Sequence, residues 1–169
     1  MSISSPSLLE IGPGRGDFLI HLARENPLRQ IAAIESRRKR YDKLNRRLAP
    51  FPNVPLLFGD ARQVLPAEFP EGSLEEVYIL FSDPWPKRRH AKHRLFQPDF
   101  VRDLHHRLRP KGDVVVATDD PVYRREIIEQ FSSGAPFRYR ELDNPFPTFY
   151  AEKWREEGRR LYAFSFKKC

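Results

Sequence analysis

Short apolar runs alternate with amphipathic segments along most of the chain. The apolar runs have the length of buried strands, and the amphipathic segments have the apolar spacing of helices. The predicted strands are residues 7–11, 31–35, 54–58, 76–81 and 113–118. The predicted helices between them are residues 17–25, 37–48 and 98–108. Short apolar strands separated by helices favour an α/β fold with a doubly wound, mostly parallel sheet.

The last third of the chain has a different pattern. Asp120 can cap a helix that begins at Pro121. After that helix, residues 137–142 and 159–166 alternate between apolar and polar side chains, with no convincing crossover helix between them. This alternation predicts an antiparallel hairpin at the C-terminal end of a seven-stranded sheet.

Length and composition favour one globular domain. The 169 residues are 40% hydrophobic, and no apolar run approaches the roughly 20 residues that span a bilayer. Residues 1–169 are therefore predicted to form a single domain, with only a short segment before the first strand. The one cysteine, Cys169, excludes an internal disulfide and a cysteine metal site, and the opening residues lack a signal-peptide pattern. A cytoplasmic location without membrane association is expected.

The charge of the chain indicates a class of partner. The net charge is +7 and the isoelectric point is about 9.7. An excess of cations favours polyanionic partners such as nucleic acids. Taken alone, the same excess is equally compatible with a role in solubility.

A glycine-rich turn follows the first predicted strand. Gly12, Gly14 and Gly16 alternate with other residues, which allows a sharp turn and a close approach of the backbone to a ligand. The dinucleotide fingerprint requires a further glycine where Asp17 stands, and an anionic side chain there is poorly suited to a pyrophosphate. Glu10, just before the turn, is placed to bind a cationic amino-acid moiety.

Carboxylates also follow the second and third predicted strands. Glu35 is placed for ribose hydroxyls, and Asp60 can accept a hydrogen bond from an adenine amine. Together with Glu10, they suit a cofactor that has a ribose and an adenine but no phosphate. S-adenosylmethionine fits this description, and NAD fits it less well. The alternative is that Glu35 and Asp60 are helix N-caps.

The fourth predicted strand leads into an unusual block, Asp83-Pro84-Trp85-Pro86-Lys87-Arg88-Arg89-His90, followed by Ala91-Lys92-His93-Arg94. A carboxylate beside a flat ring suits a planar heterocycle, and the cations after it suit a phosphate backbone. Trp85 either stacks on a base or packs as a core or lid aromatic. The cations either contact phosphates or belong to a solvated loop; they are Lys87, Arg88, Arg89, Lys92 and Arg94.

The sequence resembles a known family, the bacterial tRNA (guanine-N7-)-methyltransferases. The resemblance rests on Glu10-Ile11-Gly12-x-Gly14-x-Gly16, on the Asp83 block and on Ala117-Thr118-Asp119, and it extends over about residues 8–166. It implies the class I, Rossmann-like methyltransferase fold. It also implies methyl transfer from S-adenosylmethionine, which becomes S-adenosylhomocysteine, to N7 of a guanine in the tRNA variable loop (position 46 by tRNA convention).

The resemblance also implies roles for particular residues. Glu10, Glu35, Asp60 and Asp83 match cofactor positions, and the glycines of the turn belong to the same site. Asp83 also matches the proposed catalytic carboxylate. The matching substrate-binding positions are Lys87, Asp119 and Thr148.

The chain departs from the family pattern near its C-terminal end. Thr148 begins a Thr-x-x-Glu motif whose last position is Ala151 in this chain, with Glu152 one place later. Either the motif shifts by one residue or that contact with guanine is absent. Tyr150 and Trp154 are expected in a short amphipathic turn near the substrate, with packing in the core as the alternative for Trp154. The family usually has a longer, often basic segment before the first strand.

The expected chemistry needs alignment more than proton transfer. N7 of neutral guanine already carries a lone pair, so placing it in line with a methyl group is the main contribution. Methylation makes the base cationic, and Asp83 would favour that charge or accept from N1–H and the 2-amino group. Asp119 is placed for the second task. No metal site is expected, because the pairs His90–His93 and His105–His106 lack further convergent ligands.

Two other functions stay open on the sequence. An amino-group methyltransferase of the N6-adenine type often has Asn- or Asp-Pro-Pro-aromatic after the fourth strand, where this chain has Trp85 in place of the second proline. A noncatalytic tRNA-binding module that retains the fold is compatible with Ala151. In each case the expected macromolecular partner is a nucleic acid, and the protein is a monomer or a homodimer.

Overall fold

The computed structural model describes residues 7–143 and 146–169. Within these residues, seven strands form a single sheet, connected by six α-helices and one 3-10 helix. The strands are β1 (Leu8–Ile11), β2 (Ile31–Glu35), β3 (Leu56–Phe58), β4 (Leu74–Leu80), β5 (Leu108–Thr118), β6 (Phe137–Leu142) and β7 (Tyr162–Lys168). The helices are α1 (Asp17–Glu25), α2 (Arg38–Arg47), α3 (Ala61–Glu68), the 3-10 helix (Arg88–His93), α4 (Pro98–Arg107), α5 (Pro121–Ser133) and α6 (Phe149–Glu156).

The strand order is β3-β2-β1-β4-β5-β7-β6. β1 pairs in parallel with both β2 and β4, and β3 and β5 extend the parallel part on either side. β7 pairs antiparallel with β5 and with β6. The predicted doubly wound, mostly parallel sheet with a C-terminal antiparallel hairpin is confirmed. Because the strand order reverses between β1 and β4, a cleft opens at their carboxyl ends.

Helices cover both faces of the sheet and enclose two hydrophobic clusters. On one face α3, α4 and α5 contribute buried side chains such as Leu65, Phe100 and Phe131. On the other face α1 and α2 contribute Leu19 and Leu44. The central strands are buried on both faces, so apolar side chains occupy consecutive positions, as in Leu8-Leu9, Ile31-Ala32-Ala33-Ile34 and Val77-Tyr78-Ile79-Leu80.

Several elements differ from the sequence prediction. The prediction lacks α3, which contains Pro66 and is capped by Asp60. It also lacks α6, which occupies the connection where a short turn is expected. β5 begins at Leu108, before the predicted start at 113, through an irregular section in which Lys111 has a φ of 65°. The predicted segment of residues 1–6 lies outside the described residues.

The stacked pair Phe131–Phe166 provides a test of the core. The two rings are buried, and they lie parallel with their centroids 3.8 Å apart. Phe131→Ala is expected to lower the free energy of unfolding by about 3–5 kcal/mol, because it leaves a cavity between α5 and β7. Chemical denaturation measures this loss. Val122→Ala, at an exposed position of the same helix, should change it by no more than about 0.5 kcal/mol. Equal losses would contradict the core role of Phe131.

Candidate active site

A cavity of about 530 Å³ lies at the carboxyl ends of the parallel strands. The loops that leave β1, β2, β3 and β4 form its walls, and the first turns of α6 close one side. Most of the predicted cofactor-binding residues meet there. The lining includes Glu10, Gly12, Gly14, Glu35, Asp60, Asp83, Trp85 and Thr148.

The three predicted cofactor-binding glycines do not share one role. Gly12 and Gly14 line the cavity with φ of 72° and 57°, and no atom lies within 4 Å of the place that a Cβ of Gly12 would occupy. Gly16 lies outside the cavity lining. A Cβ at Gly16 would be 2.2 Å from Leu44 Cδ1, so this glycine allows α2 to pack against the start of α1. The open side of the turn is therefore at Gly12 and Gly14.

Glu10 is a buried carboxylate whose Oε2 has no hydrogen-bond partner. Glu10 as a whole is only 3% exposed, although it lines the cavity. Burial raises its pKa to about 8, and the nearby charges of Asp17 and Glu35 act in the same direction. A buried acid without a partner is costly, and a cationic group in the cavity would remove that cost.

Glu35 ties the glycine turn to the start of α2. Its buried carboxylate accepts hydrogen bonds from the backbone N–H of Gly14 at 3.3 Å and of Arg37 at 2.8 Å. Asp60 caps α3 by accepting from Arg62 N at 2.9 Å, and its carboxylate also pairs with the Arg62 side chain. Hydrogen bonding from Arg62 lowers the pKa of Asp60. The N-cap alternative thus applies to Asp60, which nevertheless lines the cavity.

Asp83 stands on the opposite side of the glycine turn from Glu35. Its side chain is 45% exposed, accepts from Trp85 N at 3.0 Å and lies 3.9 Å from Arg37 Nη2. Trp85 adopts a φ of 43° and packs against His90 and His93, with ring centroids 5.7 and 5.3 Å away. The carboxylate and the indole ring therefore border the same cavity, as predicted from the block.

Arg94 holds this block in place instead of facing a phosphate. Only 13% of its side chain is exposed, and its guanidinium donates to Pro84 O at 2.8 Å and to Trp85 O at 3.0 Å. It also pairs with Glu126 of α5. With its donors used inside the protein, Arg94 departs from the phosphate-binding role predicted for it. It fixes the path of the backbone between Asp83 and Trp85.

The remaining cations of the block are exposed and lie outside the cavity lining. None of their side chains forms an ion pair with a carboxylate of residues 7–143 or 146–169. Lys87 is the N-cap of the 3-10 helix, and Arg88, Arg89 and Lys92 lie within it. All four side chains are exposed and available to a partner.

Asp119 is less accessible than the sequence suggests. Its side chain is 16% exposed, lies outside the cavity lining and pairs with Arg159 Nη1 at 2.9 Å. Arg159 also contacts Glu157 at 3.0 Å and lies over the ring of Trp154. Through Arg159, the end of β5 is joined to the end of α6.

α6 covers the cavity with aromatic side chains. Phe149, Tyr150 and Trp154 all line it. The ring of Trp154 lies 5.1 Å from Phe81, and Tyr150 Oη accepts from Arg40 Nη2 at 3.2 Å. The sequence indicates Tyr150 and Trp154 through their spacing of four residues, whereas no motif indicates Phe81 or Arg40.

The Thr-x-x-Glu motif that begins at Thr148 lies at the start of α6. Thr148 Oγ1 accepts a hydrogen bond from Ala151 N at 2.9 Å, which is the usual N-cap geometry. Ala151 is therefore at the third helical position and is buried, while Glu152 is exposed and lies outside the cavity lining. The position three residues after Thr148, where the family motif has glutamate, thus lies in the first turn of α6.

Residues 7–143 and 146–169 contain no cluster of three or more His, Cys, Asp or Glu side chains arranged to hold a metal ion. In the same residues, no helix is both long and apolar enough to cross a membrane.

Comparison with solved structures shows the fold. The aminoglycoside resistance methyltransferase NpmB1 superposes with a TM-score of 0.69 at 17% identity, covering 99% of this chain and 90% of that one. Phosphoethanolamine N-methyltransferase 2 of Haemonchus contortus, solved with S-adenosyl-L-methionine, superposes with a TM-score of 0.64 at 14% identity. That match covers 95% of this chain and 48% of the other. The fold is the class I methyltransferase fold.

Comparison of sequences shows the family. Residues 4–163 match a family model described as a putative methyltransferase. The tRNA (guanine-N(7)-)-methyltransferase of Geobacter metallireducens is 38% identical over 176 aligned positions, which cover 98% of this chain and 83% of the relative. Given a match of this extent together with the fold and the Asp83 block, the chain belongs to the tRNA (guanine-N(7)-)-methyltransferase family.

Proposed function

We propose that the protein transfers a methyl group from S-adenosylmethionine to N7 of a guanine in the variable loop of tRNA. The observation that carries the proposal is the position of Asp83 and Trp85. They border the same cavity as the unpartnered carboxylate of Glu10 and the glycine turn. One cavity thus has a side for a cationic cofactor and a side for a planar base, with exposed cations just outside it.

The cofactor side fits S-adenosylmethionine. The free Oε2 of Glu10 is a partner for the cofactor's ammonium group, and the open turn at Gly12 and Gly14 leaves space for its amino-acid part. Glu35 would accept from the ribose hydroxyls and Asp60 from the adenine amine. When bound, this cofactor supplies an electrophilic methyl group. α6 would cover it with aromatic rings, since Phe149 and Trp154 line the same space.

On the base side, the residues bind and orient rather than move protons. The indole of Trp85 offers a surface on which a splayed guanine can stack. Asp83, held by its bond from Trp85 N, would place a negative charge beside a base that becomes cationic on methylation. Thr148, which lines the cavity at the start of α6, is a further contact for the base, whereas Asp119 is paired with Arg159 outside the lining. Water is excluded by the aromatic side chains of α6.

The macromolecular partner in this proposal is tRNA, with Lys87, Arg88, Arg89 and Lys92 as phosphate contacts. We expect a cytoplasmic enzyme that acts as a monomer or a homodimer. One observation favours a second candidate, a noncatalytic tRNA-binding module. The motif position that carries glutamate in the family pattern holds the buried Ala151.

A single assay separates these functions. Purified protein is incubated with labelled S-adenosylmethionine and unmodified tRNA, and the digested nucleosides are identified by mass spectrometry. We expect N7-methylguanosine as the product. N6-methyladenosine would instead support the amino-group methyltransferase. Bound cofactor and bound tRNA without any product would support the noncatalytic module and contradict the proposal.

The role of Asp83 is tested with an isosteric change. Asp83→Asn keeps an acceptor for Trp85 N but removes the charge, so kcat should fall by about 10²–10³-fold while the dissociation constant for tRNA stays within about twofold. Single-turnover kinetics and filter binding measure the two quantities. Glu152→Gln is the matched control, and it should leave both unchanged because Glu152 lies outside the cavity lining. Unaltered kcat in Asp83→Asn would remove Asp83 from its role.

The pKa of Glu10 predicts a pH dependence of cofactor affinity. The ammonium group binds the ionised carboxylate, yet with a pKa of about 8 the free protein carries Glu10 mostly protonated at pH 7. Affinity for S-adenosylmethionine should therefore rise from pH 6 to about pH 8, with proton release at pH 7, and fall again at higher pH as the cofactor's own ammonium group loses its proton. Calorimetry in buffers of different ionisation enthalpy measures both effects. Glu10→Gln should bind more weakly and lose this rise. The same rise in that variant would contradict the assignment to Glu10.

A further inference from the structure

α2 and the residues just before it are unusually rich in cations. Residues 36–47 contain a single acid, Asp42. The cations in this segment are Arg37, Arg38, Lys39, Arg40, Lys43, Arg46 and Arg47. None of them belongs to the basic block after β4 to which the sequence assigns phosphate binding.

Three of these cations form a row on one face of α2. Lys39, Lys43 and Arg46 are spaced at i, i+4 and i+7, which places them along one side of a helix. All three are exposed, whereas Leu44 and Leu48 are buried on the opposite side. We call these three residues the α2 cation row. In the part of the chain that the structure describes, their side chains form no ion pair.

This arrangement weakens the helix that carries it. The N-cap and first turn contain Arg37, Arg38, Lys39 and Arg40, with no acid and no side-chain cap, at the positive end of the helix dipole. Lys39 and Lys43 add a like-charge pair at i, i+4. The buried Leu44 holds the helix on the sheet in spite of this repulsion. Helix stability therefore does not account for the row, whereas an anionic partner does.

The N-terminal end of α2, where the row begins, lies next to the cavity. Arg37 and Arg40, at the beginning of α2, line the cavity, and Arg37 Nη2 lies 3.9 Å from Asp83 Oδ2. α2 follows β2 and the Asp83 block follows β4, and these strands flank β1. The two sets of cations thus leave the cavity on opposite sides of the glycine turn. From Lys39 to Arg46 the row spans about 10 Å along the helix axis, so it extends the positive surface away from the cavity.

We propose that the α2 cation row binds the phosphate backbone of the tRNA away from the nucleotide held in the cavity. The inference rests on the proposed function and adds a second anchoring surface to it. With the block after β4 on one side and α2 on the other, the RNA is held on both sides of the reacting base. Contacts of this kind position the backbone and carry no base information.

The test uses the full chain with three charges removed, Lys39→Gln, Lys43→Gln and Arg46→Gln. Affinity for tRNA should fall, and the slope of log K against log salt should become shallower by about three, one for each lost phosphate contact. Fluorescence anisotropy over a salt series measures both quantities. The variant should unfold at the same or a higher temperature than the parent, because repulsion within α2 is reduced.

A matched control removes the same charge elsewhere. Arg102→Gln, Lys111→Gln and Arg125→Gln change exposed cations of α4, β5 and α5, away from α2 and the cavity. This control should keep nearly the parent slope. Equal slopes for the two triple variants would show a non-specific effect of net charge, and a parent slope in the α2 variant would also overturn the proposal.

A second RNA separates this inference from the proposed function. In a tRNA whose target guanine is replaced by adenine, the α2 variant should lose affinity by the same factor as with the natural sequence. A loss confined to the guanine-containing tRNA would overturn a backbone role for the row. If the parent protein forms no N7-methylguanosine but the α2 variant still shows the shallower salt slope, the proposed function is overturned. The assignment of the α2 cation row to phosphate binding then stands.

Discussion

The parallel pairing of β1 with both β2 and β4 is the constraint on which the rest of the structure depends. It makes the chain leave β1 toward one side of the sheet and return on the other, so that the carboxyl ends of three neighbouring strands face one cleft. Each of these strands ends close to an acid, namely Glu10, Glu35 and Asp83. No local preference could gather these three charges, because more than 70 positions of the sequence separate the first from the last.

Carboxylates that lie in one cleft repel one another, and each of these side chains is stabilised in a different way. Glu35 is neutralised in part by two backbone donors, and Asp60 by Arg62. Asp83 keeps access to solvent. Glu10 alone is buried with an unpartnered oxygen, so its charge is the one that a bound cation would stabilise most. Among the acids of this cleft, Glu10 is thus the one whose carboxylate oxygen is free to bind a cationic group.

Arginine side chains connect the cavity to the elements around it. Arg94 ties the Asp83 block to α5, Arg159 ties Asp119 to α6, and Arg40 reaches Tyr150 of α6. These guanidinium groups contact other side chains or carbonyls of the protein, whereas the cations of the α2 cation row form no ion pair within the described residues. A high content of arginine therefore has two separate uses in this chain, which the net charge of +7 does not distinguish. The partners of each side chain distinguish them.

The order and type of most elements follow from the sequence alone, because apolar runs, glycine turns and N-caps are local signals. The positions of the glycine turn and of the acids at strand ends follow in the same way from the strand boundaries. Three other features are visible only in the folded protein: Gly16 packs against Leu44, Arg94 faces inward, and Ala151 lies buried at the start of α6. These facts depend on contacts between distant residues, which the periodicity of a sequence does not encode. The same reason explains why α6 was expected only as a turn. The aromatic side chains of α6 contact residues that are distant in the sequence: Trp154 packs on Phe81, and Tyr150 accepts a hydrogen bond from Arg40.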